Sequence, residues 1–144
     1  IMEHIKDIFP NLTFNSPGSG TLRPMVQSAI AQLKAPVEVL DVSLVLHAPA
    51  TKFSDAKPHI HQAFAPYGGY NGLMSEGNWF DRPNNCWCPE PIALVRTYTT
   101  GDILRRHLAT TLRHSYAMGR ALGESAIALE ILTNNVMLIV HSDR

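Results

Sequence analysis

The sequence has no excess of charge of either sign, because 12 basic residues balance 12 acidic ones. Proteins that bind nucleic acid or anionic membranes need concentrated positive charge, so we expect neither kind of partner. No apolar run approaches the roughly 18 residues that a membrane-spanning helix requires. The first residues lack a basic stretch followed by an apolar one, so we expect no signal peptide.

Cysteine is also scarce, with only Cys86 and Cys88 in the chain. Two cysteines separated by one residue cannot form the disulfide framework of a small secreted domain, so we expect a cytoplasmic protein. Only 17% of the residues are charged, which leaves little solubilising surface and favours a homo-oligomer.

The chain does have enough apolar residues for one core, at 45% of 144 residues. We therefore expect a single domain over 1–144, with an N-terminal arm over 1–20. Hydrophobic periodicity predicts two main helices, at 22–33 and 103–122. It also predicts four strands, at 37–47, 92–99, 126–132 and 136–141. These elements indicate a two-layer α+β fold, in which both helices cover one face of a four-stranded, mostly antiparallel sheet.

Residues 48–90 show no sustained period, and loops of this length are usually functional or disordered. Disorder is unexpected here because most of the aromatic residues fall in this segment, and aromatics promote burial. They are Phe53, Phe64, Tyr67, Tyr70, Trp79, Phe80 and Trp87. We predict an ordered, irregular excursion over the sheet with a short helix near 59–64. It is either a cover for one sheet face or a binding loop on a rigid scaffold.

Two pairs of metal-binding side chains lie in this excursion, His59 with His61 and Cys86 with Cys88. In an extended chain, residues two apart point the same way, so the pairs together predict a zinc site with two cysteine and two histidine ligands. Structural zinc sites usually have two to four residues between their cysteines, and a single one is expected to strain the site. The alternative is that the cysteines pack as small hydrophobes and the histidines are ordinary surface or helix residues.

A cysteine nucleophile is a second chemical interpretation of the same residues. The set that we take forward is Cys86 as the nucleophile, His59 as its base and Asp81 as the group that orients the base. Cys88 could replace Cys86, and the alternatives for the other two roles are His47, His61 and Asp55. The residues around Cys86 match no cysteine-hydrolase signature, so the sequence leaves open whether the protein is an enzyme.

Four further residues are candidates for binding a small molecule. His47 ends the first strand at the start of the excursion, and Trp79 and Trp87 offer rings for stacking. Arg96 lies among apolar residues on the strand at 92–99, so it needs an acidic partner or a bound anion. Glu130 would be that partner if the second and third predicted strands are neighbours.

Three functions remain open at this point. The first is a small-ligand-binding protein or small enzyme, with its pocket under the 48–90 excursion. The second is a non-enzymatic module for homo-oligomerisation or partner binding, which would use the exposed aromatics and the apolar strand at 136–140. The third is a domain stabilised by zinc.

Overall fold

The computed structural model describes residues 19–32, 37, 39–133 and 136–141. The first three main elements are helix α1 (Ser19–Ala31), strand β1 (Val42–Pro49) and helix α2 (Phe53–Phe64). Strands β2 (Asn71–Asp81) and β3 (Cys86–Thr99) follow, and then helix α3 (Gly101–Leu122). Strands β4 (Ala126–Ile131) and β5 (Val136–His141) come last, and no described helix is long and apolar enough to cross a membrane.

The described strands form one sheet in the order β2-β3-β1-β4-β5, and every neighbouring pair is antiparallel. Helix α2 connects β1 to β2, and α3 connects β3 to β4; each crossover passes over one intervening strand. This β-α-β-β-α-β order is the ferredoxin-like arrangement, to which β5 adds an edge strand. The predicted α+β class is confirmed: all four predicted strands are present, and β2 joins them as a fifth.

The core lies between the sheet and the helices α2 and α3. Alternate residues of the central strands point into it, as do residues of α2 and α3 at helical spacing. They include Leu44, Leu46, Val95, Leu129, Ile60, Phe64 and Met118, which are all at most 1% exposed. The helix predicted at 22–33 is present as α1, but most of its described side chains are exposed. The second helix of the layer is therefore α2.

Helix α3 begins and ends where its sequence predicts. The Thr100 hydroxyl accepts a hydrogen bond from the Ile103 backbone N–H, which satisfies a donor of the first turn. Gly123 adopts a left-handed conformation with φ of 69° and closes the C-terminus.

The 48–90 segment is regular rather than irregular, which corrects the prediction. It holds all of α2, all of β2 and the first part of β3. Pro58 lies inside α2, where it lacks the N–H of one helical hydrogen bond, so the sequence predicts only the C-terminal half of this helix. The predicted N-terminal arm over 1–20 falls largely outside the described residues.

Strands β2 and β3 continue beyond the rest of the sheet. Strand β1 pairs with β3 only from Ile92 onward, whereas β2 follows β3 as far as the pair Asp81–Cys86. Residues 76–91 therefore form a two-stranded projection, called here the hairpin arm. Its aromatic side chains are exposed, at 50% for Trp79 and 68% for Trp87.

Candidate functional site

The sheet face opposite α2 and α3, called here the second face, carries the polar side chains of the central strands. Leu46 and Ala48 point into the core, so His47 between them points to the second face. Arg96 alternates with the buried Val95 and Thr97 of β3, and Glu130 alternates with the buried Leu129 and Ile131 of β4. Three adjacent strands thus bring an imidazole, a guanidinium and a carboxylate to one surface.

Strand order decides which of these groups pair. In the register of the sheet, Arg96 lies opposite Val45, and Val45 lies opposite Glu130. Neighbouring strands are about 4.8 Å apart, so the Arg96 and Glu130 backbones lie about 10 Å apart. The condition for an Arg96–Glu130 pair, adjacent strands, is therefore not met, because β1 lies between the two strands. The Glu130 carboxylate instead accepts a hydrogen bond from His47 Nε2 at 2.8 Å.

The His47–Glu130 pair is sheltered, with side chains 22% and 28% exposed. A carboxylate that accepts from Nε2 fixes the tautomer of a neutral imidazole and leaves Nδ1 with a free lone pair. The arrangement can therefore accept a proton at Nδ1 and return it. Glu130 also supplies negative charge on this face for a cationic group of a ligand.

Arg96 offers the complementary charge. Its Nε atom is buried and has no hydrogen-bond partner among the described residues. A buried donor without a partner costs about 1–3 kcal/mol, and the terminal nitrogens of this half-buried guanidinium remain as donors for an anion on the second face. Tyr98 lies on the same face two residues along β3, and its ring is exposed.

The two tryptophans lie elsewhere. Trp79 is opposite Cys88 in the hairpin arm, whereas Trp87 is opposite Phe80. The rings of Phe80 and Trp87 pack edge to face, with their centroids 5.4 Å apart. Adjacent register pairs point to opposite sides of a strand pair, so the two tryptophans cannot hold one ligand between them within a chain. Cys88 precedes Arg96 by eight residues of β3, about 26 Å of extended strand. Of the four predicted ligand-binding residues, the fold brings together His47 and Arg96.

The histidine pair of the predicted metal site lies on α2. A helix turns by about 100° per residue, so His59 and His61 point to different sides. His61 Nε2 is hydrogen-bonded to the Tyr70 hydroxyl at 3.0 Å. The predicted pair therefore does not present two ligands to one ion.

The predicted zinc site and the predicted catalytic set each combine histidines of α2 with cysteines, and the structure assembles neither. Among the described histidine, cysteine and acidic side chains, one group of three has its ligand atoms within 4.8 Å of one another: Asp81, Cys86 and Cys88. The zinc set of His59, His61, Cys86 and Cys88 is thus divided between α2 and the hairpin arm. Of the predicted catalytic set, Cys86 and Asp81 are together and His59 is not with them.

The space under α2, where the sequence predicts a pocket, is apolar core. Ile60, Ala63 and Phe64 of α2 are at most 1% exposed and fill it. The polar candidates are on the other side of the sheet. The sequence does carry a signal for this, since strand alternation assigns both His47 and Glu130 to the second face, but their pairing requires the strand order.

No family model and no curated protein matches the chain. Two solved structures resemble it in fold. One is a phage SAM lyase in complex with S-methyl-5'-thioadenosine, with a TM-score of 0.56 and 8% identity, and the other is a phage SAM lyase in the apo state, with a TM-score of 0.55 and 7% identity. Each match covers 78% of this chain and 98% of the other. At these identities the likeness establishes a shared fold.

Proposed function

We propose that this chain binds S-adenosylmethionine on its second face and cleaves it to S-methyl-5'-thioadenosine. The observation that carries the proposal is the placement of Arg96, with its unpartnered Nε, on the same face as the His47–Glu130 pair. The fold shared with a protein that holds S-methyl-5'-thioadenosine supports the choice of ligand.

The charges of the ligand fit those of the face. S-adenosylmethionine carries a carboxylate, an ammonium, a sulfonium and an adenine. The Arg96 guanidinium can bind the carboxylate through two parallel hydrogen bonds. The Glu130 carboxylate can attract the ammonium or the sulfonium, and the exposed ring of Tyr98 offers a surface for the adenine.

The reaction breaks the bond between the sulfonium sulfur and the γ-carbon of the amino-acid chain. The bonding electrons go to sulfur, which becomes a neutral thioether. The γ-carbon gains its new bond in one of two ways. In the first, the substrate's own carboxylate oxygen attacks it and a lactone forms. In the second, the electrons of a C–H bond on the neighbouring β-carbon form a double bond to it, and His47 Nδ1 accepts the proton, which gives an alkene. The identity of the four-carbon product distinguishes the two routes.

The test is to incubate the full chain with S-adenosylmethionine and to measure S-methyl-5'-thioadenosine by mass spectrometry against a protein-free control. Calorimetry with S-methyl-5'-thioadenosine measures binding directly. We expect release above the control rate, and binding of the thioether to the wild-type chain.

Arg96→Met should lower kcat/KM at least about tenfold, because a charge-assisted hydrogen bond contributes about 1.5–3 kcal/mol. Arg113→Met is the matched control, since Arg113 is exposed on α3 and donates to the Thr110 hydroxyl. A wild-type chain that neither binds the thioether nor exceeds the control rate would refute the proposal. Equal losses in the two variants would refute the role of Arg96.

A second candidate function is self-association through the hairpin arm and the adjoining part of β2. Their large apolar side chains are exposed on both sides of the strand pair, and exposed apolar surface marks interaction sites. They are Leu73, Met74, Trp79, Phe80 and Trp87. Light scattering should then give a mass above that of one chain, and Trp79→Ser with Trp87→Ser should reduce it to one chain. A monomeric wild-type chain would exclude this function.

A further inference from the structure

The tip of the hairpin arm places three metal-ligand side chains together. Asp81 ends β2 and Cys86 begins β3, directly opposite one another in the register. Cys88 lies two residues further along β3, on the same side of the strand as Cys86. Asn85 closes the intervening turn in a left-handed conformation, with φ of 49°. As a result, the carboxylate and the two sulfurs lie within 4.8 Å of one another.

The distance between the two sulfurs suits a shared ion. Cys86 Sγ and Cys88 Sγ are 3.9 Å apart. In a tetrahedral site with zinc–sulfur bonds of about 2.3 Å, two sulfur ligands are separated by about 3.8 Å. The strain that a single intervening residue was expected to cause is therefore absent, because the extended strand already directs both thiols to one side.

The carboxylate of Asp81 is held in place by the turn. Its Oδ2 accepts from the Asn84 side-chain amide at 2.7 Å, and its Oδ1 accepts from the Asn84 backbone N–H at 3.3 Å. Carboxylates that bind metals are commonly oriented by such hydrogen bonds. Asn84 is thus a positioning residue for the oxygen ligand.

The electrostatics of the tip also suit a cation. In the metal-bound form both thiols are thiolates, so the Asp81 carboxylate and the two sulfurs would place three negative charges within 4.8 Å of one another. A divalent ion held between them would compensate their mutual repulsion. Binding should release thiol protons, as thiolate sites do.

We infer that Asp81, Cys86 and Cys88 form a binding site for one zinc-type ion per chain, with a fourth position open to water. Thiolate ligands select such ions over magnesium and calcium. Three protein ligands with one open position allow the ion to take a small exogenous ligand. The site differs from the predicted one, because an aspartate replaces both histidines, and it is independent of the second face.

Cobalt(II) tests this inference, because thiolate–cobalt bonds give an ultraviolet charge-transfer band and tetrahedral sites give intense visible bands. The full chain is reduced, its two thiols are counted by titration, and cobalt(II) is added. We expect the charge-transfer band to saturate at one ion per chain and to disappear when zinc is added.

The variants assign the ligands. Cys86→Ser and Cys88→Ser should each weaken or remove the charge-transfer band. Asp81→Asn should retain it but lower the affinity by at least the roughly 10- to 100-fold that changes in outer hydrogen-bond partners cause. Asn84→Ala should lower the affinity about tenfold with the band retained. The double variant His59→Ala/His61→Ala is the control and should bind like the wild type.

Circular dichroism confirms that each variant is folded, which is expected because the tip lies outside the core. Absence of the band in a chain with two free thiols would overturn the inference. Saturation at one ion per two chains, or loss of binding in the histidine control, would overturn it as well.

Discussion

The two ends of strand β3 have the same backbone conformation and different environments. Residues 92–99 pair with β1 on one side and β2 on the other, and the side chains of Ala93, Val95 and Thr97 are buried. Residues 86–91 pair with β2 alone, and their side chains are exposed or half-exposed. Strand conformation alone thus does not decide which residues support the fold. What decides it is how many strands pair with a segment and whether helices cover it.

The comparison also separates the two proposed sites. Arg96 lies in the central part of β3, next to residues on which stability depends. Cys86 and Cys88 lie in the hairpin arm, where the backbone is supported by one partner strand. Substitutions in the arm should therefore change metal binding with little loss of stability, whereas substitutions in the central sheet should change stability first.

The largest expected difference compares two leucines of the same sheet. Leu129 is fully buried in β4, and Leu129→Ala should lower the free energy of unfolding by about 2–5 kcal/mol, because it leaves a cavity. Leu73 of β2 is 64% exposed, and Leu73→Ala should change the free energy of unfolding by at most about 0.5 kcal/mol. Urea unfolding measures both. Similar losses would show that β2 is covered in solution, for example by a second copy.

A smaller effect is expected where the arm joins the sheet. Gly77 lies opposite Glu90, and a Cβ at this position would come within 2.7 Å of the Glu90 carbonyl oxygen and closer still to the Ile92 side chain. Gly77→Ala should therefore lower the free energy of unfolding by about 1–3 kcal/mol, as overpacking does.

The control for Gly77→Ala is Gly72→Ala in the same strand. The nearest atom to a Cβ at Gly72 is the Leu94 carbonyl oxygen at 3.7 Å, an ordinary contact. Urea unfolding should place this variant close to the wild type. A Gly77→Ala protein as stable as Gly72→Ala would show that the arm bends freely at its base.

Much of this fold follows from hydrophobic pattern. The alternation of Leu44 and Leu46 with Ser43 and His47 predicts β1. The Thr100 cap and the glycine that follows α3, Gly123, predict the bounds of that helix. Strand β2 does not follow, because Asn71, Gly72, Gly77 and Asn78 are residue types depleted in strands. It forms because β3 supplies a continuous hydrogen-bonding partner, which is information that no local pattern contains.

The sequence predicts which residues belong to the candidate sites, but it does not predict which of them lie next to one another. His47, Arg96, Cys86 and Cys88 are all identifiable as reactive side chains in a structured region. Which of them meet depends on β1 lying between β3 and β4, and on His59 being in a helix. Both are properties of the whole chain, so local pattern could not decide whether Arg96 lies beside Glu130 or whether the histidines lie beside the cysteines.

A third prediction concerns a polar group inside the core. The Tyr67 hydroxyl is hydrogen-bonded to Thr111 Oγ1 at 2.6 Å, and Thr111 donates to the Ala63 carbonyl at 3.1 Å. Burial raises the pKa of Tyr67, and the bond with Thr111 partly opposes this rise. Tyr67→Phe should lower the free energy of unfolding by about 1 kcal/mol, the contribution of one buried hydrogen bond.

Tyr98→Phe is the control for Tyr67→Phe, because Tyr98 is exposed on the second face and its ring is outside the core. Thermal unfolding should not distinguish Tyr98→Phe from the wild type. If Tyr67→Phe also leaves thermal unfolding unchanged, the Tyr67 hydroxyl adds nothing to the stability of the folded chain beyond what it gains in water.

The smallest expected effect comes from the arm and depends on pH. The raised pKa of Cys88 means that the folded chain favours the protonated thiol more than the unfolded chain does. Its contribution to stability is complete below the ordinary thiol pKa of 9.0 and is lost as the pH rises through the folded-state value. Metal-free wild-type protein should therefore lose slightly more thermal stability between neutral and strongly alkaline pH than Cys88→Ser, while Tyr67 contributes equally to both. Parallel curves would mean that the Cys88 thiol is as free in the folded chain as in the unfolded one, and that the arm tip is open enough for solvent to screen Asp81 from the sulfur.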